Sequence, residues 1–113
     1  MKNTITILAL FSLFVVAAAS ISARSAADQS AGGGTFKAKC AVCHGPDGSG
    51  GTPMGQRMKV RDLRSPEVQK QTDDELAAII TNGKPPMPAY GKSLAPADIR
   101  QVVAYLRSIA SKS

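Results

Sequence analysis

Cys40-Ala41-Val42-Cys43-His44 contains the only two cysteines and the only histidine of a 113-residue chain. Two thiols three residues apart on a turn of helix can each add to one of the two vinyl groups of a haem. The adjacent imidazole can then swing onto the iron, so C-x-x-C-H predicts a c-type haem attachment site. A disulfide between Cys40 and Cys43 would close too short a loop to staple a fold and would leave His44 unexplained. A structural zinc site would need a fourth ligand that no further Cys or His supplies. A thioredoxin-like redox pair would need a βαβ setting. The pentapeptide therefore predicts one haem c per chain, covalently bound through Cys40 and Cys43, with His44 on the iron.

The second axial position falls to a methionine thioether or stays open. Met54, Met58 and Met87 are the candidates downstream of the motif. Met87 is favoured because it sits between Pro86 and Pro88, in a stretch that cannot form a helix and that presents its side chain on a stiff strap. Prolines there also reduce the unfolded-state entropy that the strap loses. Met54 and Met58 follow a Gly-rich loop and read as haem-contacting or core-filling, the usual role of methionine. Met58 as ligand, or no sulfur ligand, are the alternatives.

Composition agrees with a cofactor inside a small core. Apolar residues make up 43% of the chain and charged residues 19%, a globular balance, but aromatics are only 4% and Trp is absent. So short a chain buries little surface, and a disulfide, metal or cofactor commonly makes up the difference. At the N-terminus, Met1 and Lys2 precede an apolar run from Ile5 to Ala19, then small residues. This pattern predicts a secretory signal peptide over residues 1–27, with cleavage after Ala27 and Ala19 or Ala23 as alternatives. The apolar run is shorter than the roughly 20 residues of a spanning helix, so no stable membrane insertion is expected after cleavage. A mature domain of residues 28–113 would carry 12 basic and 8 acidic residues. With no long basic run and few aromatics, nucleic-acid binding is not expected.

Gly32, Gly33 and Gly34 read as a flexible lead-in to a helix over Thr35–Ala41, and the Gly-rich stretch from Gly45 to Gly55 reads as loop. Ser65 and Pro66 resemble an N-cap and first helical residue opening a short helix through Lys70. Thr72 to Glu75 has capping-box spacing ahead of Leu76, Ile79 and Ile80, and Gly83 ends that helix. Lys84–Leu94, with three prolines and a glycine, must run extended. Pro96 opens the last helix, to about Ser111, on which Ile99, Val102, Val103, Leu106 and Ile109 make one apolar stripe flanked by Tyr105. The expected class is all-α, with about four short helices wrapped around one covalently bound haem.

With CAVCH, the segment NGKPPMPAY at residues 82–90 and the final ADIRQVVAYLRSI on the page, residues 30–111 resemble a class I monohaem cytochrome c of the small soluble bacterial kind. The resemblance implies that the first and last helices cross at Gly32, Phe36 and Tyr105. It also implies that the second nitrogen of His44 donates to the Pro53 carbonyl, with Pro46 as the nearer alternative, which would fix the tautomer. Relatives often cap the last helix with Ser or Thr; here Ala95 leaves Asp98 to meet the helix dipole alone. Relatives that bind a haem propionate through Trp have no counterpart here, and Arg57, Lys59, Arg61 and Arg64 could supply propionate partners or face a protein partner.

The function implied is that of a monomeric periplasmic electron carrier and not an enzyme, with His44 and Met87 bound in both oxidation states. Its partners would be redox proteins such as a quinol-oxidising complex, a terminal oxidase, or a periplasmic reductase or dehydrogenase. The rival is a five-coordinate haem peroxidase or gas-binding sensor, for which the chain lacks a second histidine as distal acid or base.

Overall fold

The computed structural model describes residues 26–111. The expected signal segment, apart from its last two residues, lies outside them. Within the described residues the chain is helical, in the order α1 (26–39), α2 (Ala41–His44), α3 (Pro53–Met58), α4 (Pro66–Gln69), α5 (Asp73–Asn82) and α6 (Pro96–Ser108). The all-α expectation holds. Its count of about four helices is corrected to six, because the pentapeptide forms its own turn, α2, and α3 rises from the end of the segment expected to be loop.

The helix starts are chemically explicit. Thr52, Ser65 and Thr72 each cap a helix by accepting a backbone N–H three residues on, and Pro53 and Pro66 take the first helical positions. Thr72 and Glu75 complete the anticipated capping box, with the Glu75 carboxylate 2.7 Å from the Thr72 nitrogen. At Ala95 the Asp98 carboxylate accepts the backbone N–H at 3.2 Å, which supplies half of a capping box where the cap side chain is missing. Gly83, at φ +74°, stops α5.

The expected flexible lead-in is overturned. Helix α1 runs through all three glycines, and Gly32 and Gly33 are buried. A Cβ on Gly32 would collide with the main chain of Gln101 and Val102, so glycine here permits the backbones of α1 and α6 to touch. Beside that crossing the rings of Phe36 and Tyr105 lie 5.1 Å apart, tilted by 45°. Phe36 joins Val68, Leu76, Ile80, Ile99, Val102, Val103 and Leu106 in one buried core. The last four of these are the anticipated stripe of α6, and Ile109 packs at its edge.

A polar tie fixes the α4–α5 turn to α6. Arg107 donates to the Gln69 carbonyl at 2.8 Å, to the Gln71 carbonyl and to Asp73 at 2.9 Å, and Gln69 donates to the carbonyls of Leu63 and Leu106. The strap after α5 is non-helical, as its prolines require. Lys84 and Met87 pair through two backbone hydrogen bonds of 3.2 and 2.8 Å, and Tyr90 and Gly91 then donate to the Ile80 and Thr81 carbonyls.

Candidate functional site

A cavity of about 320 Å³ opens between α2, the α3–α4 segment, α5 and the strap. Cys40, Cys43 and His44 line it from the attachment motif, and Met87 lines it from the strap. The remaining wall is mainly apolar, built by Val60, Leu63, Val68, Leu76, Ile79 and Tyr90 with the strap prolines. Lys39, Lys59, Arg61 and Lys84 also line it, and no carboxylate does. An apolar slot bordered by cations fits a flat apolar ring that carries acidic substituents.

The attachment residues are shaped locally by α2. His44 and Gly45 donate backbone N–H groups to Cys40 and Ala41 at 3.0 and 2.9 Å, which closes the turn. Both cysteines are half-buried. Burial pushes the Cys40 thiol pKa up against the opposing pull of Lys39. Burial likewise lowers the pKa of His44, which favours the neutral imidazole that a metal requires. Its Nδ1 is buried without a hydrogen-bond partner, so a polar atom is orphaned at the one histidine of the site. Together the thiol pair, this imidazole and the cation-bordered slot fit a haem.

The hydrogen bond expected from His44 to Pro53, or to Pro46, is therefore not made. Pro53 instead opens α3, and the neighbouring Thr52 hydroxyl lies 3.0 and 3.1 Å from the Val42 and Cys43 carbonyls, within donating reach of both. Thr52, together with the Gly50 N–H that donates to the His44 carbonyl at 2.7 Å, thus ties this loop to the motif. Its signal was the Thr-Pro pair, the same cap-and-proline pattern as Ser65-Pro66.

The four candidate propionate partners separate. Arg64 is engaged by Asp62 through a two-pronged contact at 3.0 Å and by Asp47 at 3.6 Å, and Arg57 does not line the cavity. Lys59 and Arg61 do line it, with Arg61 also 3.7 Å from Glu67. Of the methionines, Met58 lines the cavity with Met87, whereas Met54 does not. Tyr90 is a wall residue that the sequence reading did not single out. Its phenol pKa is raised, first by burial.

Residues 27–106 match the family described as cytochrome C oxidase, cbb3-type, subunit III. The chain belongs to the c-type cytochromes. This cytochrome is 35% identical to cytochrome c6 of Picosynechococcus sp. over 86 residues, covering 72% of this chain and 73% of the relative. It is 34% identical to cytochrome c6 of a Synechococcus sp. over 113 residues, covering all of this chain and 97% of that one. Among solved structures it resembles the KustC0563 c-type cytochrome with a TM-score of 0.66 and 27% identity, over 71% of this chain and 98% of the other. The cytochrome is a monohaem class I protein with covalently bound haem c, an electron carrier and not an enzyme. No helix among its described residues is long and apolar enough to cross a membrane.

Proposed function

We propose that the haem is attached through Cys40 and Cys43, that His44 and Met87 are its axial ligands, and that the chain shuttles single electrons between redox proteins in the periplasm after loss of residues 1–27. The observation that carries this reading is the cavity itself. Met87 shares its wall with Cys40, Cys43 and His44, across more than forty residues of sequence. Bound there, the haem supplies a one-electron iron couple.

The protein's own residues account for the rest. Cys40 and Cys43 would each add sulfur and hydrogen across a vinyl group of the haem, so attachment would release no atom. His44, half-buried and favoured as neutral, offers a nitrogen lone pair. The soft thioether of Met87 favours the ferrous state and raises the potential. Its main chain pairs with Lys84, which gives the strap around the thioether a defined local shape. Leu63, Val68, Leu76 and Ile79 keep water from the slot. With His44 and Met87 both engaged, the bound haem would keep no coordination site for a substrate.

The surface supports transient docking. Val42, beside the attachment cysteines, is 68% exposed, and the cations bordering the cavity would attract an acidic redox partner. A quinol-oxidising complex, a terminal oxidase, or a periplasmic reductase or dehydrogenase are the partner classes. The deciding experiment records visible spectra of periplasmically expressed wild type and Met87→Ala. The expected wild type shows a sharp reduced α band and a weak ferric band from sulfur-to-iron charge transfer, with the latter lost in the variant. A high-spin ferric wild type would refute the ligand pair and favour the open-site peroxidase or gas sensor.

A further inference from the structure

The strap bearing Met87 is joined to the end of α1, just ahead of the attachment motif, by a single hydrogen bond among the described residues. Tyr90, three residues beyond Met87, donates its hydroxyl to the Lys39 carbonyl at 3.2 Å. Lys39 is the last residue of α1 and directly precedes Cys40. The main chain of Tyr90 is held elsewhere, by the 2.9 Å bond from its N–H to the Ile80 carbonyl at the end of α5. The ring lines the cavity between these two attachments. Tyr90 thus bridges three parts of the fold, and only its hydroxyl reaches the attachment motif.

The other tie on Met87 is local. Its pairing with Lys84 keeps the strap folded on itself, but Lys84 belongs to the same strap and would move with it. Local pairing therefore shapes the loop without holding it closed over the cavity.

We propose that the Tyr90 hydroxyl is a positioning group that latches the strap to the end of α1 and so sets how firmly Met87 stays on the iron. This rests on the reading of Met87 as axial ligand. In this role the hydroxyl bonds the Lys39 carbonyl and not Met87 itself. It acts through the methionine. Without the hydroxyl, the Lys39 carbonyl returns to water at the exposed end of its helix, and the strap loses one neutral hydrogen bond that favours the closed arrangement.

The test titrates ferric holoprotein with imidazole, which binds iron only where Met87 leaves it, in wild type, Tyr90→Phe and Tyr105→Phe. Loss of one neutral hydrogen bond predicts about 2- to 10-fold tighter imidazole binding in Tyr90→Phe, with a weakened sulfur-to-iron band. Tyr105→Phe, altered at the helix crossing, should bind as wild type does. Equal imidazole affinity in Tyr90→Phe and wild type would overturn the latch, and a lowered melting temperature with unchanged affinity would show a packing role instead. A wild type lacking the sulfur band would overturn the Met87 reading and the latch with it, whereas a wild type that has the band isolates the outcome to Tyr90.

Discussion

The three consecutive glycines of α1 should respond to alanine in three different ways, although they share one helix. At Gly34 a Cβ meets nothing within 4 Å. Only the helix-forming advantage of alanine acts there, about 1 kcal/mol, which for a domain of this size raises Tm by about 4–8 °C. At Gly33 the Cβ meets the Tyr105 ring at 3.2 Å, a side chain that can turn away, so the gain and the crowding should nearly cancel. At Gly32 the Cβ runs into the Gln101 carbonyl and comes within 2.9 Å of the Val102 nitrogen. Those atoms belong to the backbone of α6 and cannot rotate aside, so the two helices must part and loosen Phe36 from Tyr105. Overpacking costs up to about 3 kcal/mol. Set against the gain of about 1 kcal/mol, this leaves a net loss near 2 kcal/mol and a fall in Tm of about 8–16 °C. Thermal unfolding of the ferric holoproteins followed by circular dichroism, repeated in guanidinium chloride, gives the order directly. A Gly32→Ala protein as stable as Gly34→Ala would refute the close-approach argument.

Two further outcomes follow from the α3–α4 segment. The Arg64 guanidinium, with smaller help from its backbone N–H, holds the Asp62 carboxyl below its ordinary value of 3.8. A depressed native pKa gives stability that is present above the ordinary value and lost as pH falls through the native one. Urea unfolding of Asp62→Asn at acid pH should therefore show a shallower loss than wild type, and parallel curves would mean that the pair contributes nothing. Lys59 has a left-handed backbone, φ 52°, at the end of α3 and lines the cavity. Lys59→Gly should relieve about 1 kcal/mol of backbone strain while removing a cation that opposes the ferric charge. Melting should rise and the midpoint potential measured by voltammetry should fall, whereas an unchanged potential would show that the ammonium does not act on the iron.

What the sequence discloses follows from how local each signal is. The haem motif, the Thr72–Glu75 box, the Ser65-Pro66 start and the stripe of α6 are set by spacings of a few residues, and each is found where its spacing puts it. Thr52-Pro53 carries the same local signal but lies among glycines, whose turn character concealed the helix that follows. Gly32 to Gly34 are ambiguous by nature. Glycine serves a flexible segment and a tight helix crossing equally well, and only the residue opposite, Gln101, distinguishes the two. The cavity wall was the least legible part. That Lys59 and Arg61 line it while Arg64 is held by Asp62 and Asp47 depends on contacts between segments, as does the reach of Tyr90 to Lys39.

The α1–α6 crossing joins the beginning of the described chain to its end, so the core around Phe36 needs both to be present. Phe36 lies more than sixty residues before Val102 and Tyr105, which help to make the groove that receives it. Without α6, the buried face of α1 at Gly32 and Phe36 would lose the backbone and ring that it packs on. No residue of α6 lines the cavity, so the crossing braces α1 without covering the attachment cysteines.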